Sequence, residues 1–405
     1  MHILLIHQAF AALDEPGGTR HHELARNLQR RGHQVTIIAS PVSYLTGTGQ
    51  GKRIRKKSDD VGVTILRSYT LPVLHCSFIL RVFSFLSFMA SSFINGLFVR
   101  RVDLVWGTTP PIFQAPTAWL LARLKGVPFI LEVRDLWPAF AVAVGVLKNK
   151  FLISFSTMLE RFLYRHADQV VVNSPGFVQH VEGRGAKHVS LVPNGADPEM
   201  FDPKSEGEHF RKKHGLENRF VVLYAGAHGM SNDLGVVLDS AELLRDEPAI
   251  QVVLLGSGKE KPRLRAEADQ RRLDNVMFLP PVPKVDMPGI LAGADACLAI
   301  LKPIEMYKTT YPNKVFDYMA AGRPVILAID GVIREVVEDA QAGVFVQPGD
   351  SVALANVIRD LATKPEKCRT MGMNGRSVVE AHYSRELFAN KFALILEGMR
   401  RRKDG

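Results

Sequence analysis

The sequence predicts an α/β protein built from two successive doubly wound, Rossmann-like domains. Three observations predict it: the length, the alternation of short apolar runs with longer helical-period segments, and a restart of that alternation near residue 200. A chain of 405 residues outgrows a single hydrophobic core, so two domains of roughly 200 residues each are expected. With 46% hydrophobic and 23% charged residues, the composition excludes disordered and collagen-like classes.

In the first half, His2–His7 is a short β-run, Arg20–Arg31 has helical periodicity and Gln34–Ala39 is again a strand. Further strands are expected at Asp103–Trp106, Pro128–Val133, Gln169–Val172 and Ser190–Val192. Strands separated by helical segments are the signature of a parallel sheet with crossover helices. The stretch Asn194-Gly195-Ala196-Asp197-Pro198 interrupts the pattern. It then resumes with strands at Phe220–Ala225, Gln251–Leu255, Asn275–Leu279, Ala296–Leu301, Pro324–Ala328 and Gly343–Val346. Residues 352–402 are mainly helical in pattern and end in the basic run Arg400–Lys403. The expected division is 1–200, 201–383, and a C-terminal helix with a basic tail at 384–405. Ligands of open α/β sheets sit beyond the carboxyl ends of the strands, which points to a central cleft between the two domains.

Charge is unevenly distributed. Residues 1–200 hold 22 Lys and Arg against 13 Asp and Glu, whereas residues 201–405 hold 29 against 28. A basic half-molecule suits nucleic acid or an anionic leaflet. No nucleic-acid motif is present, and the same half carries the most apolar segment, VFSFLSFMASSFINGLFV at 82–99, which has no charge. Its length suits a bilayer span. Four serines, Asn95 and its place inside an α/β domain favour a helix lying in the membrane plane, with the basic run Lys52–Lys57 against anionic lipid. The alternative is a buried crossover helix. Three widely spaced cysteines, Cys76, Cys297 and Cys368, form neither a disulfide framework nor a metal-ligand pattern, as expected of a reducing cytoplasm. The opening MHILLIHQAF reads as a first strand, without the basic flank of a secretory signal.

Three places carry chemistry. After the first strand, Gly17 and Gly18 precede Arg20 and an amphipathic helix, so backbone N–H groups and a helix N-terminus could meet a phosphate. The fingerprint G-x-G-x-x-G is missing there, which argues against a nicotinamide enzyme. The strand Phe220–Ala225 runs into Gly226-Ala227-His228-Gly229, and the next one into Gly256-Ser257-Gly258-Lys259; either could cradle a diphosphate or be a plain turn. The third, Tyr311-Pro312-Asn313-Lys314-Val315-Phe316-Asp317, opens a tightly packed helix on which Asn313 and Asp317 share a face.

These segments resemble glycosyltransferase family 4. The resemblance runs in order through GGTRHHELARNLQRRGHQVTIIAS, EVRDLWP, VVNSPG, VPNGAD, YAGAHGM, LLGSG and PNKVFDYMAAGRPVI. It is nearest to the aminosugar transferases of bacterial O-antigen and capsule assembly. It implies a GT-B fold, a nucleoside-diphosphate sugar donor, retention at the anomeric carbon and no essential metal or other cofactor. By the same resemblance Asp317 binds the donor ribose, and Glu15, Arg134 and Asp135 meet acceptor and transferring sugar. The diphosphate then falls to Gly17, Gly18, Gly226, His228 and Gly229, its positive charge supplied by Lys314, Lys259 or Arg20, with Asn313 as a further donor contact. Three departures stand out: Thr309 occupies the place of the family's first helix Glu, with Glu305 the nearest carboxylate upstream; Ala227-His228 and Asn232-Asp233 stand where an Arg and a Lys often hold the diphosphate; and Arg134 replaces a His. The implied acceptor is a polyprenyl-diphosphate-linked or other saccharide at the inner face of the cell membrane. A nucleotide-sugar 2-epimerase of the same fold and a non-catalytic sugar-nucleotide scaffold are the competing readings.

Overall fold

The computed structural model describes residues 1–43, 56–73, 78–203 and 205–404. Cys76, residues 52–55 of the basic run, and the side chains of Lys56, Lys57 and the terminal Arg400–Lys403 lie outside the described residues. The chain divides into two compact units: residues 1–13, 17–193 and 386–405 form one, and 14–16 with 194–385 form the other. The last helix therefore counts with the first unit and is not a separate appendage.

Eight strands form the sheet of the first unit. They are β1 (His2–His7), β2 (Gln34–Ala39), β3 (Lys56–Ser58), β4 (Thr64–Arg67), β5 (Leu104–Thr109), β6 (Phe129–Val133), β7 (Gln169–Val172) and β8 (Val189–Leu191). Their order is β3-β4-β2-β1-β5-β6-β7-β8, parallel throughout except for the β3–β4 pair. Strands β1, β5, β6 and β7 are buried along their whole length, because helices cover both faces of a parallel sheet. The strands β3 and β4 are not legible in the sequence, being three and four residues long and half polar. The helix Arg385–Asp404 packs back on this unit, with Phe392 against Trp106 at 4.7 Å and Glu397 3.0 Å from His33.

The second unit holds β9 (Phe220–Ala225), β10 (Ile250–Leu255), β11 (Val276–Leu279), β12 (Ala296–Ile300), β13 (Val325–Ala328) and β14 (Gly343–Phe345). The sheet order β11-β10-β9-β12-β13-β14 is all parallel. Counted within the unit it is 3-2-1-4-5-6, the order of the doubly wound nucleotide-binding sheet. Two clusters of buried apolar side chains fill its two faces, one around Phe316, Met319 and Leu223, the other around Tyr224, Leu238 and Ile358. In each unit one strand, β1 or β9, has neighbours that lead away in opposite directions, β2 and β5 or β10 and β12. The crevice at the carboxyl end of such a strand is where this architecture binds ligands. Those ends are His7-Gln8 and Ala225-Gly226.

One helix among the described residues, at Leu80–Phe98, is long and apolar enough to cross a membrane by length and composition. It begins at Phe78, four residues before the uncharged segment.

Candidate functional site

In the second unit the carboxyl ends of β9 and β10 interlock. Gly226 N donates to Leu255 O and His228 N to Ser257 O, each at 2.9 Å. Gly256 and Gly258 are required by this close approach: a Cβ on Gly256 would stand 1.8 Å from Gly226 O, and one on Gly258 2.4 Å from His228 O. Tyr318, on the helix Asn313–Ala320, fastens the end of β9 by accepting from Ala225 N at 2.9 Å and donating to Ala225 O at 3.2 Å. Tyr224 donates its hydroxyl to Ala227 O at 2.7 Å.

Two cationic or cation-forming groups are buried in this frame. The Lys314 ammonium lies 3.8 Å above the centroid of the Tyr224 ring and has no hydrogen-bond acceptor. It fills the space that a Cβ on Gly226 would take, 2.6 Å from it. Burial brings its pKa down to about 7. His228 is fully buried with both ring nitrogens unpartnered; burial, then the charges of Lys261 and Lys314, lower it to about 4. Burying such groups without partners costs free energy. An acceptor-rich ligand would satisfy both.

Around them the other expected residues take distinct positions. Asp317 Oδ2 is 2.5 Å from Lys284 Nζ, and that ammonium also lies 4.8 Å from the Phe201 ring centroid. Asn313 Oδ1 accepts from Arg385 Nη2 at 3.0 Å, and Gly229 N donates to Asn232 Oδ1 at 3.3 Å. Lys259 is exposed. The neighbouring Lys261 reaches inward instead, donating to Gly256 O and Leu279 O at 2.6 Å each. Thr309 closes a turn of 3-10 helix on Met306 O, and Glu305 is exposed and paired with Lys308 at 2.9 Å. Lys284, Lys261, Tyr224 and Tyr318 were missed by sequence reasoning. For the two tyrosines a buried hydroxyl within apolar runs is the only available signal.

In the first unit the carboxyl ends of β1, β5 and β6 converge on a second polar cluster. Arg134 donates from Nε to Thr108 Oγ1 at 3.0 Å, and from Nη2 to Pro110 O at 3.1 Å and to His7 Nε2 at 3.0 Å. His7 is fully buried, and burial, His21 and Arg134 hold its pKa well below the ordinary value. A neutral ring accepting at Nε2 carries its proton on Nδ1. The Asp135 carboxyl buries an unpartnered Oδ1, and burial, opposed by Arg134, raises its pKa to about 7. Gly17 and Gly18 are exposed just before the helix Arg20–Arg30.

Arg20 departs from expectation. Its Nε donates to Glu132 at 2.8 Å, and Nη1 and Nη2 donate to Pro193 O and Val192 O at 2.7 Å each. It is 4% exposed, so its charge is matched inside this unit and it fixes the turn that carries the glycines. His21 Nε2 lies 2.7 Å from the other Glu132 oxygen. Burial alone would raise the Glu132 carboxyl, but His21 and Arg20 hold it well below the carboxylate range. Glu132 was not singled out in the sequence, although a lone acid inside the apolar run PFILEV signals a buried partner. Among the described residues, no three His, Cys, Asp or Glu side chains gather as for a metal ion.

A doubly wound pair of units with glycine-lined, cation-bearing strand ends defines a nucleotide-binding α/β protein. Comparison with known proteins narrows the class. Residues 17–195 match the glycosyl transferase 4-like domain and residues 206–378 the glycosyl transferases group 1. The chain belongs to glycosyltransferase family 4 and is a glycosyltransferase of GT-B fold. It is similar to the putative colanic acid biosynthesis glycosyl transferase WcaI of Escherichia coli, 26% identical over 76% of this chain and 78% of that one. Its fold is that of sucrose-phosphate synthase from Thermosynechococcus elongatus (TM-score 0.80, 19% identity, 98% of each chain). It is also that of Anabaena HepE in complex with UDP (TM-score 0.72, 18% identity, 98% of this chain and 100% of that one).

Proposed function

We propose that this glycosyltransferase moves a sugar from a UDP-sugar, an N-acetylated aminosugar in the first instance, to a lipid-linked saccharide in bacterial surface-polysaccharide assembly. The observation that carries the donor assignment is the buried, acceptor-less Lys314 ammonium between Gly226 and Tyr224. Departure of a nucleoside diphosphate builds negative charge, which a preorganised cation and backbone N–H groups stabilise in a dry site. Lys314 and His228 hold the diphosphate where the turn Gly226–Gly229 lets it approach the backbone, and Asp317 takes the ribose with Lys284 fixing one of its oxygens. Asn313 orients the opening of that helix. Lys314 supplies here the charge that a divalent metal supplies in metal-dependent transferases, and the neutral His228 ring adds a hydrogen-bond donor.

In the first unit, Gly17 and Gly18 offer backbone donors and Arg134 and Asp135 meet the transferring sugar and the acceptor, a role shared by Glu15 of the 14–16 segment that groups with the second unit. Retention follows a front-face course in which the departing phosphate takes the acceptor proton. The relative in colanic acid biosynthesis and the UDP bound to HepE support this reading, as does the basic, apolar first half. The enzyme then works at the inner face of the cell membrane on a polyprenyl-diphosphate-linked acceptor. The test is turnover of UDP-N-acetylaminosugars against such acceptors, with the anomeric configuration of the product read by NMR. Transfer with retention from UDP donors is expected. Hydrolysis or epimerisation without transfer, or an inverted product, contradicts the proposal.

A further inference from the structure

The helix Phe78–Phe98 has its polarity reversed. Ser84 Oγ donates to Leu71 O at 2.8 Å, Ser91 Oγ to Tyr69 O at 2.6 Å, and Asn95 Nδ2 to Ser68 Oγ at 2.6 Å. Ser87 Oγ accepts from Leu71 N at 2.9 Å. The polar side chains thus face the protein. Phe83, Leu86, Ile94 and Leu97 are 43–55% exposed. A helix on a water-facing surface is arranged the other way round. The serines that argue against a bilayer span are here the means of seating the helix on its own unit.

The reversal is repeated on the helix Lys150–His166. Glu160 is fully buried and binds Tyr164, His180 and Arg184. Phe151, Phe155 and Met158, spaced to share one face, are 77%, 46% and 60% exposed. Between these two helices, and packed on both, runs Gln114–Lys125, which exposes Leu120 and Leu124. Lys125 Nζ closes the seam by donating to Leu97 O at 3.1 Å and Val99 O at 2.8 Å. Three neighbouring helices therefore turn apolar side chains to the same exterior.

Charge selects the occupant. The three helices contain one carboxylate, the buried Glu160, against six Lys and Arg. Where Gln114–Lys125 and Lys150–His166 end, an open groove of about 1080 Å³ is lined by Arg123, Arg165, Lys187 and His188. Its acid, Asp168, is occupied in accepting from Phe129 N at 2.8 Å. An apolar face with a predominantly cationic border, its exposed Asp168 held by Phe129 N, complements an anionic lipid surface.

We propose that this three-helix face lies on an anionic phospholipid leaflet, with Phe83, Phe151 and Phe155 among the acyl chains and the Arg123–Arg165 groove taking headgroup phosphates. The assignment rests on the membrane part of the function proposed above and is independent of the donor site. The test is sedimentation of the full chain with phosphatidylcholine vesicles with and without phosphatidylglycerol, for wild type, Phe151→Ser/Phe155→Ser and Arg123→Gln/Arg165→Gln. The phenylalanine variant should lose about tenfold or more in vesicle partitioning, since binding scales with inserted apolar area. The arginine variant should lose most of its dependence on phosphatidylglycerol. Stabilisation by UDP should be unchanged in both, which separates this face from the donor site and verifies folding. Phe83→Ser repeats the test on a separate helix. Wild type that ignores anionic vesicles overturns the membrane reading and this face together. Wild type that binds, with variants that bind equally well, overturns the face alone.

Discussion

Lys314 has a pKa of about 7 because burial disfavours its charged form, so near neutrality the ligand-free site holds it half-protonated. A bound diphosphate stabilises the ammonium, and binding takes up a proton. Affinity for UDP should therefore fall as pH rises above about 7, by up to about tenfold per pH unit. Calorimetry across pH 6 to 9 reads it directly, and Lys314→Met should bind weakly with that slope removed. Equal slopes in both proteins would contradict the assignment. Asp135 has the opposite sense. Its carboxyl, raised to about 7, burdens the fold once it ionises, so Asp135→Asn should raise the melting temperature at pH 8 more than at pH 5 while reducing turnover. At Gly256 the constraint is steric. Gly256→Ala would place a methyl 1.8 Å from Gly226 O, and UDP binding should be lost even where the fold survives.

At the scale of elements, two buried polar devices hold the strand ends in place. Glu132 on β6 anchors the helix Arg20–Arg30 through Arg20 and His21. Glu132→Gln leaves a buried guanidinium without its counter-charge and should cost about 3–5 kcal/mol in chemical denaturation. Tyr318 fastens β9, and Tyr318→Phe, by orphaning both polar groups of Ala225, should cost about 1–3 kcal/mol. These devices also show what sequence can disclose. Strands such as β1 and β9 are legible because a fully buried strand reads as an unbroken apolar run, and His2–His7 and Phe220–Ala225 have the expected bounds. Lys284 was not legible, because nothing in the local pattern of Pro283-Lys284-Val285 indicates that it meets a carboxylate 33 residues away. The anchoring role of Arg20 is not legible for the same reason: its acceptors Glu132, Val192 and Pro193 lie more than a hundred residues downstream.

For the whole molecule, two doubly wound units divide the labour. The second carries a cluster of glycines with the buried Lys314 and His228 at the end of β9. The first carries Arg134, Asp135 and the exposed glycine turn on one side of its chemistry, and an apolar, cation-bordered helical face on its exterior. The fold class and the motif positions were readable because repeated βα units leave a periodic trace. The apolar three-helix face is readable only in part, since the segment 82–99 shows its hydropathy but not which way its serines point. The three-helix grouping with Lys150–His166 is a property of packing.

On the function proposed, the end of β9 and the helix Asn313–Ala320 bind a nucleoside diphosphate. Thermal unfolding with UDP, GDP and ADP, for wild type, Lys314→Ala and Asp317→Ala, tests it most directly. At a hundred times the dissociation constant a ligand adds about 2.7 kcal/mol to stability. Wild type should rise in melting temperature with UDP, and both variants should lose that rise. No shift with any nucleotide, or a UDP shift that both variants retain, would contradict it.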